Sequence, residues 1–131
     1  MINLITPPDK LYNDNKSILL LYPSDQIKNT INELLMEEDI DVNLYLYTEP
    51  EPHDIDWILN RVNICDICIF DLDNIPSELR GFDAYFISKP NTYWLTNGDY
   101  LYYNSINNNR IFDLDVLKAK IGAKLEKQQT T

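Results

Sequence analysis

The sequence predicts a small α/β domain: a doubly wound, mostly parallel sheet with helices on both faces and a C-terminal β-hairpin insertion. Segments with the two-residue period of strands alternate with segments of helical period over residues 18–70. The joins between them are short, which is typical of right-handed crossovers and a parallel sheet. Near the C-terminus, Asn97-Gly98 separates two aromatic segments and favours a type I′ turn.

The first half of the chain predicts two strand–helix units followed by a third strand. In the first helix the apolar side chains recur at i, i+4, i+7 and i+8, whereas residues 42–47 alternate as a strand does. The predicted elements are a short extended segment at residues 2–5, a strand at 18–22, a helix from Ser24 or Asp25 to near Glu38 or Asp39, a strand at 42–47, a helix capped by Asp54 and a strand at 67–70.

The second half predicts the elements that complete the sheet. A turn is expected around residues 76–81, a strand at 84–88, and a hairpin with strands at 93–96 and 99–103. Asp113 is expected to cap a final helix through Ile121, followed by a frayed tail at about 126–131. No repeat or linker divides the chain, so residues 1–131 are expected to form a single domain.

Charge and composition narrow the classes of function. The 131-residue chain carries a net charge of −10. Residues 1–83 hold 17 acidic against 5 basic side chains, and residues 84–131 hold 4 against 6. This acidity argues against direct binding of nucleic acid, which requires a basic face. No apolar run is long enough to span a membrane and only two cysteines occur, so we expect a soluble protein of the cytoplasm.

The residue usage is biased toward Ile and Asn and away from Ala and Gly. Such a bias is expected of an AT-rich genome and resembles that of small proteins of T4-like bacteriophages, as well as that of AT-rich bacteria. For a viral protein, the host cytoplasm would be the expected location.

Several segments resemble the receiver domains of response regulators. Residues 18–76 are similar to the first half of that domain, with the segment Asp66-Ile-Cys-Ile-Phe-Asp71 in place of its third strand. Residues 81–90, which end in Lys89-Pro90, are similar to its final strand, and residues 112–121 to the helix that follows. The resemblance implies a flavodoxin-like fold, with Asp71 as a phosphoryl acceptor and Lys89 as a phosphoryl contact. The acid pair that holds Mg²⁺ in that family is missing after the first strand, where Tyr22-Pro23 stands.

Aspartates at predicted strand ends are the candidate metal ligands. Ligands of open α/β sheets bind at the carboxyl ends of the strands, so Asp71, Asp73 and Asp25 are candidates for chelating Mg²⁺. The segment 70–73 also resembles the first motif of haloacid-dehalogenase-type phosphatases. The alternative interpretation is that acids gather where a strand enters solvent. No cofactor is otherwise predicted.

The two cysteines and the single histidine do not form a recognisable catalytic or metal-binding motif in the sequence. Cys65 and Cys68 match C-x-x-C, but they enter a strand and are predicted to pack in the core. His53 is the only histidine, and it is predicted to be a surface loop residue near Glu49 and Glu51. No Gly-rich phosphate loop exists among the three glycines.

The predicted hairpin is the candidate interaction surface. One face would carry Tyr93, Tyr100 and Tyr102, and the other Trp94 and Tyr103. If one face covers the core, the other presents aromatic side chains of the kind enriched in protein interfaces. The alternative is that both faces are buried.

The sequence therefore favours a non-catalytic protein-interaction module, either a phage accessory or host-directed factor or a homo-oligomer that uses the hairpin. The first alternative is a Mg²⁺-dependent phosphoryl-handling or nucleotide-binding domain that uses Asp71, Asp73 and Lys89. The second is an acidic mimic of nucleic acid that occupies a basic site on another protein.

Overall fold

The structure is a computed structural model that describes residues 2–9, 15–38, 41–71, 73–82, 89, 91–95, 110–111, 118–119 and 121–123. Its elements are β1 (Ile2–Ile5), β2 (Lys16–Leu21), α1 (Asp25–Glu38), β3 (Val42–Tyr47), α2 (Ile55–Ile64), β4 (Ile67–Asp71), a 3₁₀ helix (Ser77–Phe82), β5 (Thr92–Leu95) and β6 (Arg110–Ile111). Residues 118–119 and 121–123 are also helical.

The two long helices begin where their sequence signals predict. The hydroxyl of Ser24 accepts a hydrogen bond from the backbone N–H of Ile27 at 3.2 Å, at the first turn of α1. The carboxylate of Asp54 accepts one from the backbone N–H of Trp57 at 3.1 Å, and Asp54 is the N-cap of α2. Both predicted helix starts are thereby confirmed. The described part of α1 reaches Glu38, near which its end is predicted.

The six described strands form one sheet in the order β1-β3-β2-β4-β5-β6, and every neighbouring pair is parallel. With β1 set aside, the other five strands follow the order 2-1-3-4-5, one of the two common doubly wound orders. The extended segment predicted at residues 2–5 is the edge strand β1, which pairs with β3. The predicted α/β class with a parallel sheet is confirmed.

Helices pack on both faces of this sheet. Because successive side chains of a strand point to opposite faces, one strand contributes to the core on each side. Ile18 and Leu20 of β2 pack in a core cluster with the apolar face of α1 and with Ile121. Leu19 and Leu21 pack in a second cluster with α2. Alternate residues of one strand thus reach two separate cores, as a doubly wound sheet requires.

The C-terminal third is described only in part. The turn predicted around residues 76–81 is a 3₁₀ helix whose Leu79 is buried in the α2-side core. The first predicted hairpin strand is β5, and its Trp94 and Leu95 pair in parallel with β4 on one side and β6 on the other. Both edges of these two residues are therefore taken, so the predicted antiparallel hairpin pairing is wrong at this position. The strand predicted at 84–88, the Asn97-Gly98 turn, the second hairpin strand and the tail at 126–131 lie outside the described residues.

Within the described residues, no helix is both long enough and apolar enough to cross a bilayer.

Candidate functional site

The carboxyl ends of β2 and β4 form the switch point of the sheet, since the chain leaves β2 for β3 on one side and β4 lies on the other. In doubly wound sheets the crevice at this point is the usual place for a ligand. Here the crevice is bordered by Tyr22, Pro23 and Ser24 after β2, and by the segment that follows Asp71 at the end of β4. The connection between β3 and α2 reaches the same edge.

Asp71 lies at the centre of the switch point, and its carboxylate is hydrogen-bonded to backbone groups. Its carboxylate oxygens accept hydrogen bonds from the backbone N–H of Ser24 at 3.1 Å and of Asp73 at 3.1 Å. Its residue exposure is only 6%, and burial raises the pKa of this carboxyl above its ordinary value although the amides favour the charged form. Asp71 therefore ties the loop after β2 to the loop after β4.

The other residues of the predicted Mg²⁺ and phosphoryl set are Asp25, Asp73 and Lys89. Asp25 is exposed and pairs with Lys28, with 3.3 Å between the carboxylate oxygen and Nζ. Asp73 is exposed, and Lys89 is partly buried where its carbonyl accepts a hydrogen bond from the hydroxyl of Thr92. Among the described residues, Asp25, Asp71 and Asp73 do not form a group whose carboxylates converge as metal ligands would.

A different set of side chains converges beside this crevice, around His53. The prediction of a surface histidine is wrong, because the imidazole is only 6% exposed. The rings of Tyr22 and Tyr47 lie 6.2 Å from it, centroid to centroid, one at the end of β2 and the other at the end of β3. The Pro-rich connection after β3 folds His53 back onto these two strand ends, and two tyrosines replace the solvent expected around it.

The hydrogen bonds of the Tyr22 hydroxyl hold the imidazole of His53 in place. The hydroxyl of Tyr22 donates to the carbonyl of Glu49, and burial raises the pKa of Tyr22 to about 12, so this hydroxyl has one proton and keeps it. It can then only accept from Nδ1 of His53, which lies 3.2 Å away. For a neutral imidazole, this contact favours the N–H on Nδ1 and the lone pair on Nε2.

The backbone of Tyr22 is part of the same arrangement. Its φ of 50° lies in the left-handed region, where a residue with a Cβ costs about 1–2 kcal/mol. Strand β2 ends one residue earlier than predicted for this reason, and the chain turns so that the ring of Tyr22 stands edge-on to both Tyr47 and His53.

Nε2 of His53 faces the carboxylate of Glu78 at the mouth of an open pocket, and Glu51 lies beside them. The pocket has a volume of about 590 Å³ and is lined by Glu51, Pro52, His53, Ile55, Glu78 and Leu79. Nε2 lies 3.5 Å from Oε1 of Glu78, which is in the 3₁₀ helix. Hydrogen bonding by its own backbone N–H, and then contacts with Glu51 and Ser77, lower the pKa of Glu78, so this carboxylate is charged at neutral pH. The pocket has an apolar floor and an anionic rim.

The sequence contained only part of the signal for this site. The spacing of Glu49, Glu51 and His53 placed acids near the histidine, but Glu78 is 25 residues further along and Tyr22 is 31 residues before it. Their proximity arises from the strand order, because the carboxyl ends of β2, β3 and β4 meet at one edge.

Two further predictions concern side chains outside the site. Cys65 and Cys68 are buried thiols in the α2-side core and form no disulfide, as predicted for packing residues. Tyr93 is partly buried and packs against the α1-side core. The other predicted interface residues of the hairpin, Tyr100, Tyr102 and Tyr103, lie outside the described residues, as does the side chain of Trp94.

No family model matches the chain, and no curated protein is significantly similar to it in sequence.

Proposed function

We propose that the protein is a non-catalytic interaction module that docks a basic segment of a partner protein at the carboxyl edge of its sheet. The observation that carries this proposal is the pocket with its apolar floor and two glutamates at its rim. A Lys or Arg side chain has the matching chemistry, because its aliphatic stem covers apolar surface while its charged head remains at the rim.

The acidity around the pocket supports this choice of partner. Exposed carboxylates follow β3 and β4 at the same edge, and they comprise Glu51, Asp54, Asp56, Asp73 and Glu78, which we call the acidic rim. Like charges gathered at one edge attract a cationic partner over a distance comparable to the Debye length. Docking at this edge should therefore be fast and sensitive to salt.

A peptide titration tests the proposal. Fluorescence anisotropy should detect binding of a Lys/Arg-rich peptide at low salt and no binding of a Ser/Gly peptide of equal length. The double variant Glu51→Gln/Glu78→Gln should weaken binding and flatten its salt dependence. Glu33→Gln/Glu37→Gln removes the same charge from exposed positions of α1 and is the control. Equal loss in both variants, or no binding of the basic peptide by the wild type, would contradict docking at the rim.

The second alternative, an acidic mimic of nucleic acid, would use the same acidic surface but bind a narrower class of partner. A net excess of acids over residues 1–83 favours it. In that case the partner's basic site is one that also binds DNA or RNA, so oligonucleotides should displace the protein from its partner. A phage accessory or host-directed factor is the biological setting that we propose for either case, on the residue bias of the chain.

The receiver resemblance and the phosphoryl-handling alternative stay as a separate proposal. The strand order 2-1-3-4-5 supports a flavodoxin-like relationship. Phosphotransfer has less support, because the carboxylate of Asp71 is occupied by the amides of Ser24 and Asp73. Incubation with acetyl phosphate and Mg²⁺ should leave the protein unlabelled, whereas labelling that is lost in Asp71→Asn or Lys89→Ala would favour this alternative.

The aromatic segment at residues 93–103 remains the proposed surface for a homo-oligomer, but Trp94 and Leu95 pair in parallel on both edges and not with an antiparallel hairpin strand. Of its five candidate residues, Tyr93 has the least support, since it packs against the core. Mass measurements in solution on Tyr100→Ser and Tyr102→Ser would test whether these side chains hold copies together.

A further inference from the structure

We propose that Glu51, His53 and Glu78 bind a divalent transition-metal ion, of the class of Zn²⁺ or Co²⁺, through two carboxylates and Nε2 of the imidazole. One ligand atom from each residue lies within 4.8 Å of the other two. Two ligands that are each about 2.1 Å from a tetrahedral ion lie about 3.4 Å apart. Nε2 of His53 and Oε1 of Glu78 are 3.5 Å apart, so this pair already has the separation that an ion between them requires.

The surroundings of His53 prepare its Nε2 atom for a metal. Nδ1 is held by the hydroxyl of Tyr22 at 3.2 Å, with that of Tyr47 at 3.5 Å. In metal sites the second nitrogen of a ligating histidine is usually held in this way by a hydrogen-bond acceptor, which fixes the ring and its tautomer. Nε2 then faces Oε1 of Glu78 at 3.5 Å, so that an ion between the two atoms could be bound by both. The imidazole is 94% buried against the tyrosines, while Glu78 is 43% exposed and open to an incoming ion.

The ligand types select the class of ion. Imidazole favours Zn²⁺, Co²⁺ and their neighbours, whereas Mg²⁺ and Ca²⁺ prefer sites made of oxygen alone. Three protein ligands also leave at least one position for water in a tetrahedral complex, and the open side of the pocket gives that position access to solvent.

Metal binding does not depend on the docking function proposed above. A bound ion would, however, regulate docking. A dication bound by Glu51 and Glu78 neutralises the charge that attracts a basic segment. Zn²⁺ should therefore compete with the Lys/Arg-rich peptide. Because metal binding is measured without the peptide, and peptide binding without the metal, each proposal can fail while the other stands.

Calorimetry and spectroscopy on the full chain test the site. Titration with Zn²⁺ should give one binding event per chain, and Co²⁺ should give the visible absorption of a site of low coordination number. Glu78→Gln keeps the size of an exposed side chain and should reduce Zn²⁺ affinity at least about tenfold. Tyr22→Phe keeps the ring but removes the group that orients His53, and should reduce affinity about 10–100-fold. Glu33→Gln on α1 is the matched control and should leave the affinity unchanged.

Because substituting the buried His53 could unfold the protein, its part is tested by NMR on the wild type. His53 is the only histidine, so its ring signals need no variant for assignment. Zn²⁺ should shift the ring carbon-bound protons and the Nε2 resonance at one equivalent. Three results would each overturn the site: ring signals that do not move at saturating Zn²⁺, no heat of binding at millimolar Zn²⁺, or an affinity that Glu78→Gln leaves intact.

Discussion

Replacing Asp71 tests whether this carboxylate is a structural tie or a chemical group. Asp71→Ala removes both hydrogen-bond acceptors and leaves the backbone N–H groups of Ser24 and Asp73 without them. A hydrogen bond to a charged group contributes about 1.5–3 kcal/mol to stability. The variant also removes the cost of burying the carboxylate, which opposes this loss. We expect the free energy of unfolding to fall by about 2–4 kcal/mol, less than the full sum of the two bonds.

Asp71→Asn should be milder. One oxygen remains to accept a hydrogen bond, but the amide NH₂ now faces the second backbone donor. We expect a loss of about 1–3 kcal/mol, measured by urea denaturation followed by tryptophan fluorescence at neutral pH. Glu33→Gln, on the exposed side of α1, should change stability by less than about 0.5 kcal/mol. If both Asp71 variants were as stable as this control, the carboxylate would not be the tie that the geometry indicates.

The pH dependence of the same comparison isolates the titration of Asp71. Its pKa is raised in the folded protein above the usual value of 3.8, mainly by burial, so the folded state binds this proton more tightly than the unfolded state does. The contribution of Asp71 to stability is therefore greatest below pH 3.8 and declines as pH rises through the raised pKa. The difference between wild type and Asp71→Asn should shift in favour of the wild type as pH falls toward 3.8. A shift of the opposite sign would show that hydrogen bonding to the charged form outweighs burial.

Three further predictions concern packing, capping and the thiols. Ile31→Ala on the buried face of α1 should lower the free energy of unfolding by about 2–5 kcal/mol. Met36→Ala, at a side chain 74% exposed on the same helix, should change it by less than about 0.5 kcal/mol. Similar losses for the two variants in urea titrations would contradict the orientation of α1. Asp54→Ala should cost about 1 kcal/mol by removing the N-cap of α2, and Asp54→Ser should restore most of it in the same assay. Cys65 and Cys68 should react with Ellman's reagent only after unfolding, since both are buried; rapid labelling of the native protein would contradict their place in the core.

The first half of the fold could be predicted because its signals are local. Apolar periods and capping residues identify β2, α1, β3, α2 and β4, and the structure moves their ends by one or two residues at most. The pairing of β1 with β3 could not be predicted in the same way, because it joins residues 40 positions apart. In the turn predicted around residues 76–81, Leu79 anchors a 3₁₀ helix by entering the α2-side core, a tertiary contact that no local pattern contains.

The candidate site could be predicted less well than the fold, for the same physical reason. Asp71 was identified by its place at a strand end, but its role depends on the amide of Ser24, 47 residues earlier. The burial of His53 depends on Tyr22 and Tyr47, whose rings leave two different strands. A lone histidine in a polar connection is typically exposed, and only the strand order brings two tyrosines over it.

The acidity of the carboxyl edge has two origins, and separating them sharpens the assignment of the site. Helices α1 and α2 both begin at this edge, and Asp25, Asp54 and Asp56 lie at or within their first turns, where a negative charge is stabilised by the helix dipole. The helix starts are sufficient to account for the positions of these three acids. Glu51 starts no helix and lies in the connection beside His53, so the helix ends do not account for its charge. Its place at the mouth of the pocket, next to a buried imidazole and the carboxylate of Glu78, is the feature that the proposed cation site would account for.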